Sequence, residues 1–343
     1  MKINQELKGK KILFISVSTF GYEKEILKEL TKYVNEVDFF DERPSNSILI
    51  KGLIRINKNF LKKRIKNYYK RIIQKIKNKK YDYFFLIKGE TIPEWFIEEF
   101  KFHNKECKLF LYSWDSMENN TNLQRIYKSF DKVFTFDSLD AKKYNLILRP
   151  LFFLEEYRKV PSLKYENTKF DILFIGTAHS DRYKLSNSIY TWCEENRLKM
   201  LNYLYIQNIL VFYFKKLFDK SFQKIDLKKV SFNSLKLVDI IKLYSKSRII
   251  LDIHHPLQRG ITMRTIEAIG AGKKVITTNK EISSYSFYNE NNFLVIDRND
   301  PKITMGFLAS KFVSLSKYEL DDLSLKGWLN FIFFESNKSY IKN

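Results

Sequence analysis

SRIILDIHHPLQRGITMRTIEAIGAGKKVITTN, running from Ser247 to Asn279, decides the architecture of this chain. Its apolar, β-branched run Arg248–Ile253 reads as a buried strand, and a second strand opens at Lys274. Between them a polar loop passes Gly260 and enters a helix that has Thr262 as N-cap and closes on Gly270-Ala271-Gly272. Strand, loop, helix and strand in so short a space make one α/β unit of a parallel sheet. A helix start after such a strand offers free backbone N–H groups and the positive end of the helix dipole, which together favour a phosphate. Gly260 lets the backbone come close, and Arg264 in the first turn adds a charge-assisted contact. Glu267, one turn further in, is placed to accept hydrogen bonds from ribose hydroxyls. The plainer alternative is an ordinary capped helix with Glu267 in solvent.

The same alternation extends outward. In the first half, strands are predicted at Lys11–Val17, Glu36–Phe40, Tyr81–Lys88, Lys108–Trp114, Lys132–Phe136 and Leu146–Leu148, with helices over Glu23–Tyr33 and Asn57–Lys79. In the second half they are predicted at Phe170–Ile175, Lys229–Phe232, Arg248–Ile253, Lys274–Thr278 and Phe293–Ile296, with helices near Asp181–Glu195, Leu235–Ser245 and Thr262–Ala271. The fold class is therefore α/β, with two doubly wound domains facing a cleft, where ligands sit at the carboxyl ends of strands. The expected boundaries are 1–152, a linker at 153–168 containing Pro161, 169–310, and C-terminal helices over 311–343 returning toward the first domain.

Two segments stand apart. In the long helix Leu61, Ile65, Tyr68, Tyr69, Ile72, Ile73 and Ile76 fall on one face, and ten lysines and arginines between Leu61 and Lys80 occupy the other. Lys199–Phe218 is apolar around most of its circumference and is read as one helix, either buried between domains or resting on a membrane surface.

Composition bounds the function. The chain has 343 residues, enough for two domains, and 44% of them are apolar, with 30 Phe and 21 Tyr to fill two cores. The lysines and the short run Ile12–Val17 near the start read as a first strand rather than a signal peptide, because no small-residue cleavage site follows. No stretch reaches the ~18–20 apolar residues of a membrane span. Two distant cysteines, Cys107 and Cys193, argue against a disulfide framework and for a reducing, cytoplasmic setting. The net charge of +22 points either to a solvated lysine surface or to a polyanionic partner such as a nucleotide diphosphate or an anionic membrane face. No nucleic-acid-binding motif accompanies it. The histidines, His103, His179, His254 and His255, form no helical metal-binding pair, and no metal or other cofactor is expected.

The Ser247–Asn279 segment resembles the donor-binding motif of GT-B glycosyltransferases of the large group 1 family. Its Gly260-x-Thr262-x-Arg264-Thr265-x-Glu267-Ala268 form is most similar to a bacterial lipopolysaccharide and capsule branch related to spore-maturation (CgeB-like) proteins. Phe14 to Tyr22, Phe39-Phe40-Asp41-Glu42-Arg43, Leu111 to Ser116, and Phe174-Ile175-Gly176-Thr177 with Arg182 fit the same branch. The resemblance implies two Rossmann-like domains and transfer of a sugar from a nucleotide-sugar to a saccharide or lipid-linked acceptor of surface polysaccharide. It implies donor contacts from Gly176, Thr177, Arg182, Gly260, Thr262, Arg264 and Glu267, with Arg182 neutralising the leaving diphosphate in place of a metal. One position departs from the pattern: retaining members carry two glutamates separated by seven residues, of which Glu267 matches the second while Arg259 stands at the first.

On the acceptor side, Trp114-Asp115-Ser116 ends a strand. Asp115 is expected to orient or deprotonate an acceptor hydroxyl, or else to cap the next helix. The loop Ser18–Tyr22, with Gly21 and Tyr22, is a further cleft candidate. Arg182, Arg264 and Glu267 are expected to converge on one pocket, and the enzyme to work at the inner face of the cell membrane. Three alternatives remain at this point: a metal-dependent transferase of GT-A architecture using Asp252 and His254, a non-catalytic polyanion-binding protein, and transfer of a polyol phosphate or another group on the same fold.

Overall fold

A computed structural model describes residues 3–47, 50, 58–161, 168–178, 181–218, 222–223, 225–256, 259–335 and 338–342. His179 and residues 162–167 of the expected linker lie outside this set. The chain divides into two compact units, Met1–Pro150 with Leu325–Ser339, and Leu151–Ser324 with Tyr340–Asn343.

The first unit is built on a parallel sheet of β1 (Lys11–Ser16), β2 (Glu36–Asp41), β3 (Tyr83–Ile87), β4 (Lys108–Ser113), β5 (Lys132–Thr135) and β6 (Ile147–Leu148), in the order β2-β1-β3-β4-β5-β6. Ile12, Leu13, Phe14 and Ile15 are all fully buried, as are Phe84, Phe85, Leu86 and Ile87. Consecutive burial means that both faces of the sheet are covered, which is why these strands read as continuous apolar runs. One cover is the amphipathic helix Lys62–Ile76, which buries Ile65, Tyr69, Ile72, Ile73 and Ile76 and leaves its lysines outside. Another is the C-terminal helix Leu325–Phe334, where Trp328 packs edge-on against Tyr112 at 4.7 Å and Phe333 against Tyr83 at 5.0 Å.

The second unit repeats the plan with β7 (Phe170–Thr177), β8 (Met200–Tyr205), β9 (Val230–Ser231), β10 (Ser247–Asp252), β11 (Lys274–Thr277) and β12 (Phe293–Val295), ordered β12-β11-β10-β7-β8-β9 and parallel throughout. The strand order reverses direction beside β7, at its boundary with β10. Such a reversal leaves a crevice outside the strands' carboxyl ends. In the first unit the corresponding boundary is β1 with β3. The Met263–Gly270 helix crosses close to residue 153: a Cβ built on Gly270 would lie 2.4 Å from the Phe153 ring. Gly272 supplies the left-handed turn, at φ +61°, that returns the chain to β11.

Three expectations are corrected. Lys199–Phe218 is strand β8 followed by the helix Ile209–Phe218, not one helix. Met200–Tyr205 pairs in full with Ile172–Thr177, and Asn208 then restarts the chain as a helix, its side chain accepting from the Val211 N–H at 2.8 Å. The segment from residue 153 begins inside the second unit, with Phe153, Leu154 and Tyr157 buried, and the short helix Glu155–Arg158 packs on Met263–Gly270. Of the C-terminal residues, Lys317–Leu323 belongs to the second unit and only Leu325–Ser339 to the first. Among the described residues no helix is long and apolar enough to cross a membrane.

Candidate functional site

In the second unit the boundary between β7 and β10 gathers three arginines, Arg182, Arg264 and Arg298, with two aspartates, Asp252 and Asp181. Asp252, the last residue of β10, is fully buried, and its Oδ1 accepts from Arg264 at 3.2 Å. Its Oδ2 accepts from Thr265 Oγ1 at 2.9 Å and Thr277 Oγ1 at 3.4 Å. Arg264 also lies over the Phe174 ring, 5.7 Å from its centre. Arg182 opens the helix Arg182–Glu195 and donates from Nε to the Ile253 carbonyl at 2.7 Å. Burial, and then the positive charges of Arg264 and Arg298, push its guanidinium down to about 10. Arg298, just beyond β12, bonds Asp181 at 2.6 Å and the His254 carbonyl. The three guanidiniums stand at the carboxyl ends of the strands, at a sheet boundary of the kind where ligands sit.

The helix Met263–Gly270 starts beside this cluster. Thr262 is its N-cap, with Oγ1 accepting from the Thr265 N–H at 3.3 Å, which places Arg264 in the first turn. The preceding loop is fixed by Asn279, whose side-chain amide donates to the carbonyls of Arg259 and Gly260 at 2.9 and 3.1 Å. Glu267 is 7% exposed, and buried Tyr244 feels its charge together with those of Arg264 and Asp252, so these groups share one neighbourhood. Arg182 and Arg264 thus meet near Asp252, while Glu267, further along the Arg264 helix, lies near Tyr244 of the Leu237–Ser245 helix. Gly176 packs against Phe174, and Thr177 ends β7 at the same boundary.

A cavity of about 310 Å³ continues from the cluster along the ends of β10, β11 and β12, lined by His254, Arg259, Thr278, Lys280, Asp297 and Arg298. His254 is held there by Thr278 Oγ1, 2.7 Å from its Nδ1. Burial and the adjacent Arg298 push its imidazole down to about 4, so it is neutral near pH 7. A larger cavity of about 480 Å³, between Lys169 and Met200, opens at the other, amino-terminal end of β7 and β8 and is unrelated to this chemistry. Among the described residues no three His, Cys, Asp or Glu side chains are grouped to hold a metal ion. Asp252, named above as a metal ligand with His254, has both oxygens engaged, one of them by a guanidinium.

The first unit carries a second cluster at its own boundary. Lys88 follows β3 with a left-handed backbone, φ 84°, which is costly for a side-chain-bearing residue. Its Nζ lies 3.3 Å from Glu90 and 3.8 Å from Asp115, and Glu90 pairs with Arg43 at 2.6 Å. Burial would raise the Glu90 carboxyl, but Lys88 and Arg43 outweigh it and hold the group below its ordinary value. Asp115 Oδ1 accepts from the Ser116 N–H, while the next helix is capped by Asn120, so capping is not Asp115's role there. Tyr22 and Trp114 face each other at 5.9 Å. Gly21 caps the Tyr22–Leu30 helix at φ 83°, with open space where a Cβ would be, so conformation rather than close approach calls for glycine. Beside it Phe20, also at positive φ, is 88% exposed.

Glu42 lies under this cluster, fully buried. Its Oε1 accepts from the N–H groups of Thr91 and Ile92, and among the described residues its Oε2 has no partner. Burial pushes the carboxyl up to about 7. A raised acid pKa stabilises the fold fully below the unfolded value near 4.5, and that contribution is lost as pH rises through about 7. Urea unfolding of wild type and Glu42→Gln should therefore diverge with pH. The variant gains up to about 3 kcal/mol relative to wild type between pH 5 and pH 9. A difference that stays constant over that range would contradict this.

Sequence reasoning missed Arg298, Asp181, Lys88 and Glu90. Arg298 and Asp181 carry no motif, and only their positions just beyond β12 and at the start of the helix after β7 mark them.

No family model matches this sequence, and no curated protein matches it. Solved structures do. An α-glucosyltransferase in complex with UDP and a mismatched DNA is 12% identical, with 96% of this chain and 97% of that one covered and a TM-score of 0.58. An α,α-trehalose-phosphate synthase (UDP-forming) from Burkholderia xenovorans is 8% identical over 96% and 100%, with a TM-score of 0.60. A UDP-N-acetylglucosamine 2-epimerase is 13% identical over 98% and 100%, with a TM-score of 0.54. The fold is GT-B, two Rossmann-like domains each on a six-stranded parallel sheet, and the GT-A architecture is set aside.

Proposed function

We propose that this chain transfers a glycosyl group from a nucleotide diphosphate sugar to a saccharide or lipid-linked acceptor of surface polysaccharide. The observation that carries the reading is the arginine cluster Arg182, Arg264 and Arg298 at the boundary of β7 and β10. A diphosphate there would meet two side-chain forks and the start of the Met263–Gly270 helix, and Arg182 and Arg264 would neutralise the charge growing on the leaving phosphate. Glu267 would take the ribose hydroxyls, and Gly176, Thr177, Gly260 and Thr262 the backbone around the phosphates. The adjoining cavity has room for the rest of the donor. UDP is the first nucleotide to test, since the glucosyltransferase above is in complex with it.

In the first unit, Asp115 would orient or deprotonate the acceptor hydroxyl. Lys88 Nζ stands 3.8 Å from its carboxylate, and Tyr22 and Trp114, next to Gly21, offer ring faces to a sugar. An epimerase on the same fold is the competing reading, and the presence of an acceptor-dependent product separates the two.

The reaction is proposed to need no metal: Arg182 and Arg264 would supply the positive charge that balances the diphosphate. Nucleoside diphosphate release from a nucleotide-sugar panel should persist in EDTA. Turnover that collapses on chelation and returns with Mn²⁺ would contradict the metal-free reading.

A further inference from the structure

His254 stands where the arginine cluster passes into the cavity beside it. The Ile253 carbonyl accepts from Arg182 and the His254 carbonyl from Arg298, so the backbone here is tied to two of the guanidiniums. The side chain is 9% exposed and lines the cavity of about 310 Å³.

Its hydrogen bonds fix the tautomer. The His254 backbone N–H donates to Thr278 Oγ1 at 3.3 Å, and the same oxygen lies 2.7 Å from Nδ1. Thr278 is buried, and among the described residues Nδ1 is the one acceptor its hydroxyl meets. A buried hydroxyl gives its proton to the acceptor within reach, so Oγ1 accepts from the backbone and donates to Nδ1. An uncharged ring then carries its own proton on Nε2. No described residue bonds Nε2, and the ring that carries it lines the cavity. Arg298 beside the ring opposes a positive charge on it. The result is a fixed, uncharged N–H donor, which suits a hydroxyl oxygen better than a carboxylate. Beyond Arg298, which Asp181 answers, the lining has the cations Arg259 and Lys280 and the carboxylates Glu281 and Asp297, so neither sign of charge predominates.

With the diphosphate assigned to the arginines and the ribose to Glu267, the sugar is the part of the donor left for this cavity. We propose that His254 is a specificity-determining residue, its Nε2–H donating to a hydroxyl of an uncharged donor sugar held there. The proposal rests on the glycosyl-transfer reading and adds to it the group that recognises the sugar.

Calorimetric titration of the full chain with UDP, UDP-glucose, UDP-galactose and UDP-N-acetylglucosamine tests it in wild type, His254→Asn and His254→Gln. Asparagine puts its amide where Nδ1 stands and can keep the Thr278 bond, whereas glutamine reaches the position of Nε2 with an N–H. His254→Asn should bind UDP as wild type does, and should lose about tenfold in affinity for whichever UDP-sugar wild type binds best. His254→Gln should recover most of that loss, which a purely structural role for the ring would not allow. Undiminished binding of that UDP-sugar by His254→Asn, an equal loss for UDP and the UDP-sugar, or wild type that binds UDP but none of the three sugar nucleotides would overturn the proposal. The tautomer is read without ligand from the imidazole nitrogen NMR shifts of wild type at neutral pH. Nε2 should carry the proton, and a proton on Nδ1 alone would overturn the proposal whether or not UDP binds. Wild type that binds none of the four compounds would overturn the donor-site reading itself, and this proposal with it.

Discussion

Asp252→Asn is expected to lower the stability of the second unit by about 3–4 kcal/mol. The side chain is fully buried at the end of β10 and is the negative charge held against Arg264 and facing Arg182. Removing one partner of a buried ion pair leaves the other charge unanswered, which is costlier than the net worth of the pair. Arg264 keeps some solvent contact, at 20% exposed, and this holds the cost toward the lower end of such values. Asparagine keeps the shape and can still accept from Thr265 and Thr277, so packing alone predicts almost no change. Urea unfolding measures the difference. Nucleoside diphosphate should stabilise the variant at least as much as wild type, because the freed guanidinium is available to phosphate. A variant as stable as wild type without ligand would show that the arginines do not depend on Asp252.

Arg182→Ala/Arg264→Ala should act the other way, leaving the fold able to assemble while removing the anion site. Hydrogen bonds to charged groups contribute about 1.5–3 kcal/mol each, so losing both guanidiniums should weaken UDP binding roughly a hundredfold to ten-thousandfold. The variant also relieves mutual repulsion, since Arg264 and Arg298 both oppose the charge on Arg182. That relief offsets part of the cost of leaving Asp252 with only its threonine partners. Isothermal titration gives the affinity, and unfolding checks that the protein remains folded. Affinity within threefold of wild type would remove the arginines from the donor site.

Much of the fold was legible because the sheets are covered on both faces. Ile249–Leu251 and Phe84–Ile87 are short apolar runs bounded by polar segments, and that length marks them as strands buried on both faces. Lys199–Phe218 was misread for the same reason: an apolar run has no period, so a strand and a helix in sequence look like one long helix. Asn208, midway, was the signal that separates them. The site was legible where chemistry is local. Thr262, Arg264 and Glu267 share one helix, so their spacing alone brings them together. Arg298 and Asp181, 117 residues apart, meet only because β12 and β7 end on the same edge of the sheet. Glu42 and Glu90 are similar: nothing in their neighbours predicts that one carboxyl is buried with an unpaired oxygen while the other is held between two cations.

The central claim is that the second unit receives a nucleotide diphosphate at the boundary of β7 and β10, and a crystal structure of the chain soaked with UDP tests it most directly. The account predicts phosphate oxygens within hydrogen-bonding distance of Arg182 and Arg264, at the start of the Met263–Gly270 helix, with the ribose hydroxyls on Glu267. Nucleotide bound instead in the cavity between Lys169 and Met200, or phosphates facing away from both arginines, would contradict it.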